Sequence, residues 1–92
     1  MSLEAGFWSF HHENPRVYER LTKLARQAKR AGRDRIGVGM LWEVLRWEYA
    51  MKTTAGDGFK LNNSYRSRYA RLIMLQEKDI DGLFFVRELK TW

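Results

Sequence analysis

The strongest constraint on the fold is an amphipathic segment that begins at Asn14-Pro15 and ends at Gly32. Asparagine is a favoured N-cap, and proline at the first helical position has no amide hydrogen to leave unbonded. Apolar residues then recur at the spacing of one helical face, and they are Val17, Leu21, Leu24, Ala25 and Ala28. Gly32 stands where a C′ glycine ends a helix. The segment therefore predicts a helix with one buried stripe.

Residues 38–52 predict a second helix that is apolar on nearly every face. Its polar side consists of three residues, Glu43, Arg46 and Ala50. We therefore expect this helix to be central and mostly buried, with Trp42 and Trp47 both in the core. Glu48 falls on the apolar side and needs a partner if it is buried, so we expect an arginine of the first helix to pair with it.

A third helix is predicted from about Ser64 to Lys78, capped by Asn62 or Asn63. Its apolar stripe consists of Tyr65, Tyr69, Leu72 and Ile73. Asp81-Gly82 predicts a turn, and residues 83–89 predict a strand that pairs with residues 59–61. Residues 35–38 are compatible with either a short strand or a turn.

Together these elements predict a mainly α fold of the α+β kind, with a three-helix core and a small β element. Two helices, a turn, a third helix and a following strand are typical of helix-turn-helix proteins of the winged-helix type. A plain three-helix bundle, in which the third helix only covers the core, is the open alternative. We divide the chain into an aromatic N-terminal arm, residues 1–13, and one helical domain, residues 14–92, with a short C-terminal strand.

Aromatic residues are concentrated at the two ends of the chain. Phe7, Trp8 and Phe10 lie within four positions of one another, and Trp92 is the last residue. Such a dense apolar segment is unfavourable in water, so we expect the arm to lie across the domain or a partner. Tryptophan is enriched at protein interfaces, and these four residues are therefore candidate interface residues.

Composition excludes several classes of function. The chain has 92 residues, no cysteine and no apolar run long enough to span a bilayer, so we expect no disulfide, no cysteine nucleophile and no membrane partner. The sequence shows no secretory signal pattern, which favours a cytoplasmic protein. No P-loop, dinucleotide fingerprint or nucleophile elbow occurs. We therefore predict no enzyme, no catalytic residue, no cofactor and no small-molecule substrate.

The basic residues are concentrated in two segments. The formal net charge is +6, but residues 16–35 hold eight basic residues against two acids, and residues 60–71 hold four against none. Basic surfaces of this kind contact the phosphates of nucleic acids. A solvated helix face and an acidic protein partner are the alternative interpretations.

The pattern indicates a non-enzymatic module that binds nucleic acid, DNA rather than RNA. The first helix would contact phosphates through its face opposite the apolar stripe, with Arg20, Lys23, Arg26 and Arg30. The third helix would be the recognition helix, and its candidate contacts are Asn63, Ser64, Arg66, Ser67, Arg68 and Arg71. Asparagine and arginine have the geometry to bond adenine and guanine edges.

Two other functions remain open on the sequence. The aromatic arm and the terminal tryptophans favour a protein-interaction or assembly module, homo-oligomeric in its simplest form. The run His11-His12-Glu13 would suit a metal-dependent nuclease, but the helical spacings HxxxH and HExxH are missing. We therefore expect no metal site.

Three segments carry a resemblance to a known group. Residues 14–32 (NPRVYERLTKLARQAKRAG), 45–48 (LRWE) and 62–73 (NNSYRSRYARLI) resemble small uncharacterised bacterial proteins of phage and prophage type. The resemblance extends from about residue 7 to residue 89. It implies a cytoplasmic bacterial or viral setting, in which DNA-handling roles are common, and it assigns no catalytic or binding residue.

Overall fold

The computed structural model describes residues 3–52 and 61–85, and these residues form a mainly helical fold. The α-helices are α1 (Leu3–Glu13), α2 (Pro15–Arg30), α3 (Val38–Lys52) and α4 (Arg66–Gln76). Two short 3-10 helices, Asn63–Tyr65 and Lys78–Ile80, flank α4, and the strands are β1 (Ile36–Gly37) and β2 (Phe84–Phe85). The predicted mainly α class is confirmed. None of the described helices combines the length and apolarity needed to cross a bilayer.

Helix α2 follows the predicted amphipathic pattern closely. Val17, Leu21 and Ala25 are fully buried on the predicted stripe. Asn14, however, makes no side-chain cap to α2. Its Nδ2 atom donates to the carbonyl oxygen of Phe10 at 3.0 Å, so the side chain ends α1 instead of starting α2.

The aromatic arm forms a helix of its own, α1, which the sequence analysis did not predict. Phe7 is fully buried and belongs to the main core, with its ring centroid 4.8 Å from that of Tyr69 on α4. Phe10 is partly buried and packs against Tyr65, whereas Trp8 is exposed. The arm therefore lies across the domain, as one of the two expected arrangements.

Helix α3 is buried on one side only. Trp42 is fully buried in the centre of the core, together with Leu41 and Leu45 from the same face. Trp47 is 64% exposed on the opposite face, so the prediction that both tryptophans are core residues is wrong for Trp47. A helix that is apolar all around has no sequence signal to say which side meets the core, and among the described residues α3 has neighbours on one side alone.

The two short strands pair in parallel, with Ile36 beside Phe84 and Gly37 beside Phe85. The amide of Ile36 donates to the carbonyl oxygen of Leu83 at 2.8 Å and extends the pairing by one bond. The predicted Asp81-Gly82 turn is present, and Gly82 takes φ +85°, which glycine adopts without strain. The predicted partner of the last strand was residues 59–61, but the described partner precedes α3; residues 59–60 and 86–89 lie outside the described residues.

Candidate nucleic-acid interface

The outward face of α2 carries all of the basic residues that the sequence assigned to phosphate contact. Arg16, Lys23 and Arg30 are exposed, and Arg20 and Arg26 are half-buried. The helix orients them because the apolar stripe occupies the opposite side. Their availability to a phosphate differs, since some of them bind acids of this same chain.

Arg20 is committed to an ion pair with α3. Its guanidinium binds both carboxylate oxygens of Glu48, at 2.8 and 2.6 Å, and these bonds lower the pKa of Glu48 below its ordinary value. This contact confirms the prediction that an arginine of the first helix would pair with Glu48. It also means that a phosphate would have to compete with a bidentate carboxylate for Arg20.

Arg26 binds two carboxylates of the same chain. Its Nη2 donates to Glu77 Oε1 at 2.6 Å, and its Nε donates to Asp79 Oδ2 at 2.8 Å. The hydroxyl of Tyr18 donates to the other oxygen of Glu77 at 2.9 Å. The bonds from Arg26 lower the pKa of both carboxyl groups. We therefore remove Arg20 and Arg26 from the set of residues best placed for phosphate contact.

Arg16, Lys23 and Arg30 form a row along α2. They are spaced seven residues apart, so they fall on one side of the helix at steps of about 10.5 Å. All three side chains are exposed, and none is part of an ion pair within residues 3–52 and 61–85. We call these three residues the basic row.

A groove of about 260 Å³ lies between α2 and α3 beside the basic row. It is lined by Arg16, Glu19, Arg20, Lys23, Leu45, Glu48, Tyr49 and Lys52. Lys52 faces the row from the last turn of α3, where a cation is also favoured by the helix dipole. The groove is therefore bordered by cations from two helices, with Glu48 bound by Arg20, and Glu19 is the second carboxylate in its lining.

The start of the predicted recognition helix is exposed. The side chain of Asn62 accepts a hydrogen bond from the amide of Ser64 at 2.9 Å, which confirms that Asn62 is the capping residue. Asn63, Ser64 and Arg66 are exposed, and Ser67 is half-buried. Asn63 also accepts a hydrogen bond from Arg46 of α3, so its carbonyl oxygen is engaged within the fold.

The position of Arg68 contradicts its assignment as a nucleic-acid contact, because such a contact requires an exposed side chain. Its exposure is only 8%, and it lies among the buried residues of α4 next to Tyr69 and Ala70. Arg71 is half-buried. The long aliphatic stem of arginine packs against apolar surface readily, and a wheel drawn from residue types misses this. Arg68 is therefore a structural residue and leaves the candidate contact set.

The aromatic interface residues have different surroundings. Phe7 is wholly inside the core, and Phe10 is half-buried against it. Trp8 keeps 42% of its surface exposed, while its ring meets that of Phe7 at a centroid distance of 5.0 Å. Trp92 lies outside the described residues. Of the three candidates that the structure describes, Trp8 is the most exposed.

His11 is enclosed by rings from three helices. It stacks on Phe7 with centroids 6.0 Å apart, and the rings of Tyr18 and Tyr69 lie at 5.4 and 5.5 Å. Burial, and the neighbouring His12, lower the pKa of His11 below 6.5. Within the described residues, no three His, Cys, Asp or Glu side chains converge as a metal site would require.

Helix α3 also carries an exposed apolar surface that was not predicted from the sequence. Met40, Val44, Trp47 and Met51 are all exposed. Their spacing of four, three and four residues is the signal of one helical face, and it was available in the sequence. We call these four residues the α3 stripe.

Comparisons of this chain with protein-family models, with curated proteins and with solved structures gave no match.

Proposed function

We propose that this protein is a non-enzymatic nucleic-acid-binding module that contacts phosphates through the basic row and the adjoining groove. The observation that carries the proposal is the alignment of Arg16, Lys23 and Arg30 on one exposed side of α2. Lys52 adds a cation on the facing side of the groove. Three or four phosphate contacts of this kind give an affinity that falls steeply with salt and depends little on sequence.

The second group of proposed contacts lies at the start of the predicted recognition helix. Ser64 and Arg66 are exposed there, next to Asn63. We propose that they approach the bases or the backbone in a helix-turn-helix-like arrangement, in place of Arg68. Duplex DNA is the proposed ligand, because side chains read its major groove more readily than that of duplex RNA. The phage and prophage resemblance supports a cytoplasmic setting.

The test measures binding of a fluorescently labelled random DNA duplex, and of a random single strand, across about 50–300 mM salt. The logarithm of the affinity should fall linearly with the logarithm of the salt concentration, with a slope per phosphate contact of about −0.9 for the duplex and about −0.7 for the single strand. Replacing all three residues of the basic row with glutamine should reduce the magnitude of that slope by about 2.7.

Lys23→Gln and Lys78→Gln form a matched pair for this test. Both lysines are exposed and both changes remove one charge, but Lys78 lies in the 3-10 helix after α4. Lys23→Gln should reduce the magnitude of the slope by about 0.9, and Lys78→Gln should leave it unchanged. Equal effects of the two variants, or no binding of either nucleic acid at the lowest salt, would overturn the proposal.

A further inference from the structure

The α3 stripe is an exposed apolar surface that nucleic-acid binding does not explain. Met40 is 57% exposed, Val44 37%, Trp47 64% and Met51 63%. No charged residue belongs to it, and it runs over three turns of one helix. Contiguous apolar surface of this kind on a small protein marks an interaction site.

We propose that the occupant of the α3 stripe is a second copy of this chain, with the two α3 helices packed antiparallel about a twofold axis. The proposal does not rest on nucleic-acid binding. Its first support is the position of the four residues along the helix. Met40 and Met51 are equidistant from the point midway between Leu45 and Arg46, and so are Val44 and Trp47.

An antiparallel pair centred on that point is self-complementary in size. It places Val44 of each copy opposite Trp47 of the other, so that a small side chain faces a large one in the middle. It places Met40 of each copy opposite Met51 of the other at the two ends. A twofold interface requires one surface to match itself in this way. Two flexible methionines on each copy also adapt well to an irregular contact.

One edge of α3 beside the stripe carries charges of both signs. Glu43 and Arg46 lie on the same edge of α3, and Arg46 Nη1 is 3.1 Å from Glu43 Oε1. In an antiparallel pair of helices each edge meets the same edge of the other copy. Glu43 therefore comes close to Arg46 of the second copy, while the two Arg46 side chains lie side by side at the twofold axis, each bound to Glu43 and Asn63 of its own chain.

The positive charge of the protein does not oppose this association. The basic row belongs to α2, and α2 faces Leu45, Glu48, Tyr49 and Lys52 of α3, none of which belongs to the stripe. Two copies joined through α3 therefore keep their basic rows apart. Each copy would then present one basic row outward from the dimer.

Oligomeric state is measured first, by sedimentation equilibrium of the full chain from about 1 to 200 µM. We expect a monomer–dimer equilibrium in this range. Trp47→Glu should weaken dimerisation at least 100-fold, because it places a charge at the centre of the apolar contact. Leu75→Glu is the matched control: Leu75 is 57% exposed but lies on α4 in a separate depression with Arg71, Met74 and Lys78. It should leave the equilibrium unchanged.

Disulfide trapping tests the antiparallel register. The chain has no cysteine of its own, so any disulfide must form between the introduced residues. The double variant Met40→Cys/Met51→Cys should form a disulfide-linked dimer under mild oxidation, and each single variant should not. The two positions are about 16 Å apart along one helix, which is too far for a bond inside one chain.

Three results would overturn the inference. The first is a monomer at every concentration, even if the stripe then proves to bind a different protein. The second is a dimer that Trp47→Glu does not weaken. The third is disulfide trapping by either single variant, which would show parallel helices. Circular dichroism of each variant separates these results from a loss of folding.

Discussion

Arg20 on α2 holds Glu48 on α3 through two nearly parallel hydrogen bonds, from Nε to Oε1 and from Nη2 to Oε2. The two residues are 28 positions apart along the chain, they join α2 to α3, and both line the groove beside the basic row. It thus serves the fold, and it limits how strongly positive the groove is.

Glu48→Gln should therefore have opposite effects on stability and on nucleic-acid binding. The ion pair is partly exposed, so its loss should lower the free energy of unfolding by only about 0.5–1 kcal/mol. The released guanidinium should then be able to bind one more phosphate. This contact would increase the magnitude of the slope of log affinity against log salt by up to about 0.9. Urea unfolding and duplex binding measure the two effects. Glu13→Gln removes one exposed carboxylate on α1 and should not steepen the salt dependence.

Leu21→Ala should destabilise the fold by about 2–5 kcal/mol through the cavity that it leaves. Leu21 is fully buried at the centre of the α2 stripe. Leu75→Ala makes the same change at a position that is more than half exposed, and its effect should stay within about 0.5 kcal/mol. Thermal or urea unfolding compares the two. Similar losses from both variants would contradict the assignment of Leu21 to the core.

The sequence predicted the parts of this fold that local patterns define. Helix α2 has a proline start, one apolar stripe and a glycine end, and all three agree with the structure. The pairing of Glu48 with an arginine followed from the cost of burying a lone carboxylate. Helix α1 was missed because its aromatic residues were interpreted as an arm and not as one face of a helix.

The errors at the candidate site arose where tertiary packing decides orientation. Trp47 is apolar and was assigned to the core, but it is 64% exposed, and none of the elements that the structure describes covers its side of α3. Arg68 is charged and was assigned to the surface, but the packing of α4 buries it. Arg26 was assigned to phosphate, although Glu77 and Asp79 bind it from more than 50 residues away. Residue type alone could not reveal the exposure of Trp47, the burial of Arg68 or the ion pairs of Arg26.

The Arg26 cluster should make the protein less stable in acid. The folded-state pKa values of Glu77 and Asp79 lie below their ordinary values of 4.5 and 3.8, mainly because Arg26 donates hydrogen bonds to both. The stability that they contribute is therefore fully present above those ordinary values and is lost as the pH falls through the lowered ones. Urea unfolding from pH 7 to pH 2 measures the loss. Arg26→Gln should flatten this dependence, and Arg30→Gln, on the same helix, should not.

His11 should cause a second, separate loss of stability at milder acidity. Its folded-state pKa lies below 6.5, because burial among Phe7, Tyr18 and Tyr69 disfavours the charged ring and His12 adds a like charge. The unfolded chain therefore takes up the proton first, so the free energy of unfolding should fall as the pH drops below about 6.5.

His11→Phe keeps a ring in the cluster but removes the titration, and it should flatten the stability profile between pH 7 and pH 5. His12→Gln removes an exposed histidine and should leave most of the slope in place. Urea unfolding at several pH values makes the comparison. A wild-type profile that is flat in this interval would show that His11 titrates normally in the folded protein.

Arg68→Ala should act on stability and not selectively on nucleic-acid binding. Arg68 is 8% exposed within α4, so truncation removes packing of its aliphatic stem as well as the buried guanidinium. We expect a loss of about 1–3 kcal/mol in the free energy of unfolding. Arg66→Ala, two positions earlier and exposed, should cost far less stability and should weaken duplex binding instead. If Arg68→Ala left stability unchanged and abolished binding, Arg68 would be a contact residue after all. The recognition-helix prediction would then be restored in its original form.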